Sequence, residues 1–166
     1  IAGSLPANMG DPALAAIQSE QSVVVAGYGA LVVNNEPRNV PWWLPERAKG
    51  LLIGWLGSAP EYQPYGVQKF VWNPGARRLE GAWVNREVSS PNCVPIASYA
   101  SDRVYLIGAR ENRWTLEALS WSTGASFFHH VIGGQRYNSL FSGTLIDEAG
   151  RVHYGTPWGR VRLDPR

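Results

Sequence analysis

An internal repeat limits what this chain can fold into more than any other feature of its sequence. Residues 67–107 can be laid over residues 115–156, and Trp72 then meets Trp121 at an offset of 49 residues. Both copies run in the same order of strand, turn, two strands, turn and strand. The sequence therefore repeats a unit of four strands.

The segments that carry the repeat are rich in β-branched and aromatic residues, which favour strands. The clearest of these runs cover residues 22–26, 30–33, 51–53, 68–72, 104–107 and 127–132. One short helix is predicted over residues 12–17, because Asp11 and Pro12 stand in the order of an N-cap and a first-turn proline. The predicted fold class is all-β.

A partial third copy becomes visible in the hairpins that we expect around Gly27, Gly108 and Gly155. These glycines are 81 and 47 residues apart, so the first interval is longer by 34 residues. We assign the excess to an insertion over residues 34–66, which is dense in proline and tryptophan and cannot be central sheet. A period near 47 residues with four strands predicts antiparallel blades of a β-propeller.

The chain length indicates an incomplete ring. A chain of 166 residues holds about three such blades, whereas closed propellers typically have about four to eight. We expect one propeller-like domain over residues 1–166, with blade-like repeats at 67–112 and 113–157 and the insertion at 34–66. Open edges invite pairing, so a second copy, a different chain or further sequence would complete the ring. A β-sandwich or a small barrel is the alternative fold.

Residues Ala118-Leu-Ser-Trp-Ser-Thr-Gly124 resemble the blade repeat of quinoprotein-like propellers, which runs Ala-x-Asp-x-x-Thr-Gly-Lys-x-x-Trp. Ser120 replaces the Asp, Ala125 the Lys and Phe128 the Trp. The resemblance covers about residues 67–163 and implies blade architecture alone. It implies no cofactor, because no residue matches the quinone or calcium ligands of that family.

Charge and hydropathy exclude several classes of partner. The formal net charge is +2, and the arginines are scattered, so no basic stripe predicts nucleic-acid binding. No apolar run reaches the roughly 18 residues that a membrane span needs. The single cysteine, Cys93, predicts neither a disulfide nor a compartment; a periplasmic or secreted location stays an open expectation. High arginine and low lysine usage is typical of a GC-rich bacterial source.

Tryptophans of the insertion are the leading candidates for binding residues. Trp42 and Trp43 lie next to each other on a proline-stiffened segment, and Trp55 follows in the same insertion. Such aromatic rings stack on carbohydrate or anchor a protein partner. The competing interpretation is that they cover one end of the core.

Arg136, Tyr137 and Asn138 are further binding candidates, because they lie on a connection between predicted strands, where propellers place functional groups. An ordinary polar loop is the simpler interpretation. His129 and His130 are adjacent on a predicted strand and should face opposite ways, so no metal site is predicted. Asp102 and the pair Asp147-Glu148 are interpreted as turn-stabilising acids. No catalytic residue is assigned.

Two functional hypotheses follow. The first is a non-catalytic propeller segment that acts as a binding or assembly module in a larger homo- or hetero-oligomer. The second is a part of a quinoprotein-like oxidoreductase or a propeller hydrolase, whose active site other segments or chains complete. The absence of a convergent catalytic set in the sequence favours the first.

Overall fold

The computed structural model describes residues 24–33, 65–90, 93–111, 113–140 and 142–164. These residues form strands and one short 3-10 helix, Gln135–Tyr137, so the predicted all-β class is confirmed. The predicted helix at 12–17 and residues 34–64 of the insertion lie outside the described residues. The strands are β1 (Val24–Ala26), β2 (Gly29–Val33), β3 (Tyr65–Asn73), β4 (Arg78–Ser89), β5 (Ile96–Ser98), β6 (Arg103–Arg110), β7 (Arg113–Ser120), β8 (Ser126–Gly133), β9 (Thr144–Ile146), β10 (Val152–Thr156) and β11 (Gly159–Leu163).

The strands form three antiparallel sheets in which chain neighbours pair. The first sheet has the order β1-β2-β3-β4, the second β5-β6-β7-β8 and the third β9-β10-β11. The opening strands of the three sheets lie in a row, because β1 contacts β5 and β5 contacts β9. A parallel bridge between Val94 and Gly143 joins the segments that lead into β5 and β9. The predicted repeat at 67–112 comprises β3 to β6, so it contributes two strands to each of two sheets.

Two apolar clusters pack between the sheets. The first cluster joins β2, β3 and β4 of the first sheet to β6 and β7 of the second. Its buried members are Leu31, Val33, Val67, Val88, Val104, Leu106, Leu119 and Trp121. The second cluster joins the second sheet to the third, and its buried members are Cys93, Ile107, Ala109, Trp114, Leu116, Val152 and Tyr154.

The second sheet is therefore covered on both faces. Along β6, Val104 and Leu106 belong to the first cluster and Ile107 and Ala109 to the second. This is why β6 is a nearly continuous apolar run over residues 104–109 instead of an alternating one.

The prediction that three glycines mark strand-end turns is right for Gly27 and wrong for the other two. Gly27 lies in the β1–β2 turn with φ of +58°. Gly108 lies inside β6 opposite Thr115, and Gly155 inside β10 opposite Arg160. At Gly108 a Cβ atom would lie 2.6 Å from Cγ of Glu117 and 2.8 Å from the carbonyl oxygen of Ser89. Close packing, not a turn, requires this glycine.

The hairpins of the first two sheets match at an offset of 47 residues, not at the 49 that aligns Trp72 with Trp121. Asn73 ends β3 and Ser120 ends β7. The Asn73 Oδ1 accepts the N–H of Ala76 at 3.0 Å, and the Ser120 Oγ accepts the N–H of Thr123 at 3.1 Å. Both side chains thus bond the backbone three residues ahead, which is how such residues start tight turns. Trp121 consequently lies within its turn, whereas Trp72 lies in β3.

Candidate functional site

A cleft of about 670 Å³ opens between the second and third sheets. We call it the inter-sheet cleft. The second sheet lines it with Tyr105, Leu116, Phe128, His129 and His130, and the third sheet side with Gly150, Val152, Arg162, Leu163 and Asp164. Leu116 and Val152 are buried members of the second cluster, so the floor is apolar. A volume of this size is in the range that binds a small ligand or a short peptide segment.

Polar groups stand at the rim of the inter-sheet cleft. His129 and His130 are exposed on β8, opposite Glu117 and Leu116 of β7. Arg162 and Asp164 form an exposed ion pair with 3.2 Å between Nε and Oδ1. The cleft thus combines an apolar floor with hydrogen-bonding groups at its mouth, which suits an occupant that has both apolar side chains and backbone polar groups.

Between the second sheet and the first, the position equivalent to the inter-sheet cleft is filled by the turn that connects β7 and β8. The turn between β7 and β8 packs against the first sheet, where the Lys69 Nζ and the Trp83 Nε1 donate hydrogen bonds to the carbonyl oxygen of Trp121 at 2.8 and 2.9 Å. Asn85 Nδ2 donates to the carbonyl oxygen of Gly124 at 2.9 Å. We call Lys69, Trp83 and Asn85 the turn-binding residues.

Electrostatics and packing reinforce this contact. The Lys69 Nζ lies 4.4 Å from the ring centroid of Trp121, a cation–π distance. Burial lowers the pKa of Lys69, and the Asp102 carboxylate opposes that shift. Gly124 has φ of +76°, and a Cβ there would lie 2.5 Å from the Trp83 ring. The turn therefore needs glycine for both its conformation and its contact.

A buried acid lies on the face of the second sheet that meets the first sheet. Glu117 is 1% exposed and accepts two hydrogen bonds from Arg110, at 2.7 and 2.9 Å, together with one from the Thr115 hydroxyl at 2.6 Å. A bidentate guanidinium and a hydroxyl satisfy this carboxylate well. The cluster holds β6 and β7 together and leaves the acid no open side for substrate.

Asp147 organises the turn between β9 and β10. Its Oδ1 accepts the N–H groups of Ala149 and Arg151, and its Oδ2 lies 2.9 Å from His153 Nε2. These hydrogen bonds, led by that of His153, lower the pKa of Asp147 to about 2. The interpretation of Asp147 as a turn-stabilising acid is confirmed, and His153 is a hydrogen-bonded structural histidine.

Asp102 works across hairpins instead of within its own turn. Its carboxylate accepts the Ser120 hydroxyl at 2.8 Å, the Ser122 hydroxyl at 2.6 Å and the Ser122 N–H at 3.0 Å. These bonds lower its pKa. Asp102 therefore ties the β5–β6 turn to the β7–β8 turn, so that the latter is presented to the turn-binding residues in one orientation.

Of the predicted binding residues, Arg136, Tyr137 and Asn138 are described by the structure, and none of these three lines the inter-sheet cleft. Trp42, Trp43 and Trp55 lie outside the described residues. Tyr137 packs beside the second cluster, Asn138 is 1% exposed and accepts the Leu140 N–H at 2.9 Å, and Arg136 is exposed. Their binding role stays a prediction, and the structure adds a packing role for Tyr137 and Asn138.

Sequence reasoning passed over the turn-binding residues, and it considered the cleft-lining His130 only as a metal ligand. A lysine between apolar strand residues, as in Val67-Gln-Lys-Phe70, is the signal that could have identified Lys69. Nothing local identifies His130, because its significance depends on which residue of β7 it opposes.

Within the described residues, no group of three or more His, Cys, Asp and Glu side chains is placed to hold a metal ion. The same part of the chain contains no helix that is long and apolar enough to span a membrane.

No protein-family model matches the sequence. An uncharacterized protein of Archaeoglobus fulgidus is 36% identical over 147 residues, which is 87% of this chain. The chain spans 28% of the length of that relative. The similarity therefore links nearly the whole chain to one part of a considerably longer protein.

Proposed function

We propose that this chain is a three-blade segment of a larger β-propeller and that it acts as a non-catalytic binding or assembly module. The observation that carries the proposal is the row formed by β1, β5 and β9, the opening strands of three successive meander sheets. In a propeller, the first strand of each blade lines the central channel and stands beside the first strand of the next. A sandwich has two facing sheets instead of three in series.

The unequal environments of two equivalent turns support an incomplete ring. The β7–β8 turn is held by the first sheet, and Trp121 and Gly124 are buried there. The β3–β4 turn holds the same place in the first sheet, yet residues 74–77 are all exposed. A blade that precedes the first sheet would cover this turn in the same way. The first sheet thus carries a docking turn whose receiving surface belongs to another segment or chain.

Exposed apolar side chains on outer strands point the same way. β8 is an edge strand of its sheet, and its apolar side chains Phe127, Phe128 and Val131 are exposed. Apolar edge strands usually mark surfaces that another chain covers. The match to part of a much longer relative is consistent with further blades in the same polypeptide.

The test is the mass and shape of the purified native assembly. Native mass spectrometry should find the chain with a second copy or a partner chain, and electron-microscopy class averages should show a ring with a central channel. Trp42→Ala and Trp43→Ala should weaken association without unfolding the chain. Trp158→Ala, at an exposed turn outside the insertion, is the matched control.

A monomer that keeps its mass at high concentration and binds no partner would overturn the assembly role. Class averages of two facing sheets without a channel would overturn the propeller. A bound quinone or metal in the purified assembly, with turnover of a sugar, alcohol or ester, would favour the oxidoreductase or hydrolase alternative.

A further inference from the structure

We propose that the inter-sheet cleft is the docking site of a turn that begins at Asp164, and that the strand after this turn pairs with β11 as a fourth strand. The inference rests on the proposed function, because it treats the three sheets as successive blades. It goes further by naming the occupant of one open surface and the residues that receive it.

The first observation is an unpaired strand edge. The first and second sheets have four strands each, in chain order, and the third strand of each is covered by the fourth. In the third sheet β11 takes the place of the third strand, and within the described residues no strand pairs with its outer edge. An edge of this kind presents alternate N–H and C=O groups that a further strand can satisfy.

The second observation is that Asp164 stands where the other two sheets begin the turn into their fourth strand. Asn73 ends β3, Ser120 ends β7, and Asp164 follows the last residue of β11. Asn73 and Ser120 both accept a backbone N–H from three residues ahead, and an aspartate can do the same. In the sequence, proline follows both Asn73 and Asp164. Asn-Pro and Asp-Pro pairs favour turn initiation.

The third observation is the position of the cleft. In the first sheet, Lys69 lies four residues before Asn73 and is paired with Trp83 on β4. In the second sheet, Leu116 lies four residues before Ser120 and is paired with His130 on β8. Leu116 and His130 are therefore equivalent to two of the turn-binding residues.

Leu116 and His130 both line the inter-sheet cleft, together with Asp164 at the start of the expected turn. The cleft thus lies where, one sheet earlier, the first sheet receives the β7–β8 turn. The two places differ in that one holds a turn and the other is open in the described residues.

The chemistry of the cleft suits a turn. Between the first and second sheets, the Trp83 indole N–H donates to the backbone carbonyl oxygen of Trp121. An imidazole N–H of His130 can donate to a carbonyl oxygen in the same way. Leu116 and Phe128 offer apolar contact to a side chain at the place of Trp121. A backbone carbonyl flanked by an apolar side chain is therefore the group that this cleft recognises.

The occupant is the polypeptide that continues from Asp164, not a second copy. A turn that begins at Asp164 is already tethered beside the cleft, because Asp164 lines it, so docking of the turn requires closure of only a short loop. Docking of the exposed β3–β4 turn from a second copy is the competing occupancy.

The test extends the full chain with a copy of its own fourth strand. Because Ser120 is equivalent to Asp164, appending a copy of residues 123–133 after Arg166 places the added strand in the register of β8. We expect alternate amides of β11 to exchange with deuterium at least about tenfold more slowly in the extended chain than in the original chain. The extended chain should also have a higher unfolding temperature. An extension of the same length that carries proline at alternate positions is the control, because proline cannot donate to the ladder.

His130→Ala then tests the receiving residue. It should remove a larger part of the thermal gain in the extended chain than it costs the original chain, because the coupling exists only when the turn is docked. Equal losses in both chains, or β11 exchange that is the same with and without the extension, would overturn the inference. Protection of β11 in the unextended chain that grows with concentration would identify a second copy as the occupant and would also overturn it.

The two proposals fail separately. A protected β11 in an extended chain that forms no ring and binds no partner would leave the fourth strand standing and remove the assembly role. A ring in which β11 stays unprotected would do the reverse.

Discussion

Single side chains in this protein mostly serve the turns and the contacts between sheets. Asp147 bonds two backbone N–H groups of its own turn and the His153 ring. Asp102 joins two hairpins, and Glu117 is enclosed by Arg110 and Thr115. The sequence indicated Asp102 and Asp147 as turn-stabilising acids and did not indicate Glu117, and a partner of Asp102 lies 20 residues away. Sequence spacing could therefore suggest turn-forming acids without identifying what they bond.

Replacing Asp147 should make the protein less sensitive to acid. The folded-state pKa of about 2 lies below the ordinary value of 3.8, so the ionised Asp147 stabilises the fold above about pH 4. That contribution is lost as the pH falls towards 2. The gap in unfolding free energy between wild type and Asp147→Asn, measured with urea, should narrow between pH 5 and pH 2.

Glu148→Gln removes one negative charge from the same exposed turn and serves as the control. A gap between wild type and Asp147→Asn that stays constant over this pH range would contradict the assignment of the low pKa to Asp147.

Gly108→Ala should destabilise the protein by about 1–3 kcal/mol, the usual cost of an overpacked interior. The new Cβ would meet the backbone oxygen of Ser89 at 2.8 Å and Cγ of Glu117 at 2.6 Å. Gly134→Ala is the control, because nothing lies within 4 Å of its Cβ position. The unfolding free energies are measured by denaturant titration. Equal values for the two variants would contradict the close packing around Gly108.

At the scale of elements, β-hairpins are the units that repeat, and the turn of the β7–β8 hairpin binds the neighbouring sheet. The β7–β8 hairpin delivers its turn to β3 and β4 of the preceding sheet, where three side-chain donors reach two of its carbonyl oxygens. The positions of strands could be predicted from β-branched and aromatic composition. The contact between the β7–β8 turn and the first sheet could not, since it depends on how neighbouring sheets face each other.

Trp83→Phe tests the contact between the β7–β8 turn and the first sheet. It keeps an aromatic ring against Gly124 but removes the hydrogen bond to the Trp121 carbonyl oxygen. We expect a loss of about 1 kcal/mol in unfolding free energy, because Lys69 continues to bond the same oxygen. Trp158→Phe at an exposed turn should cost less; an equal cost would show that the bond contributes nothing.

At the scale of the whole molecule, the second sheet is the common partner of two separate cores. The first cluster lies between the first and second sheets, and the second cluster lies between the second and third. Cys93 is the single cysteine of the chain and is fully buried in the second cluster. Burial raises the pKa of its thiol to about 11. It is therefore a natural probe of how the second and third sheets separate.

Weakening the second core should expose Cys93, whereas weakening the first should not. Val152→Ala removes two buried methyl groups, worth about 0.8 kcal/mol each, and should speed iodoacetamide alkylation of Cys93 by roughly tenfold. Leu31→Ala creates a larger cavity in the first cluster and should speed it less. Alkylation is monitored by mass spectrometry under native conditions. Equal acceleration in Val152→Ala and Leu31→Ala would mean that the two cores open together.

The sequence by itself determined the all-β class, the positions of several strands and the roles of Gly27 and Asp147. These features depend on short-range properties, namely β-propensity and turn chemistry. For that reason they can be recognised along the chain.

Only the tertiary structure decided the positions of Gly108 and Gly155 within strands, the 47-residue match of the hairpins, and the equivalence of His130 with Trp83. Each depends on pairing register or on contact between sheets, where residues distant in the chain meet. A shift of two residues in the repeat keeps each side chain on the same face of its strand but moves it about 7 Å along the strand, and composition does not carry that information. The inter-sheet cleft exists for the same reason, because it lies between β8 and β11 and belongs to neither strand alone.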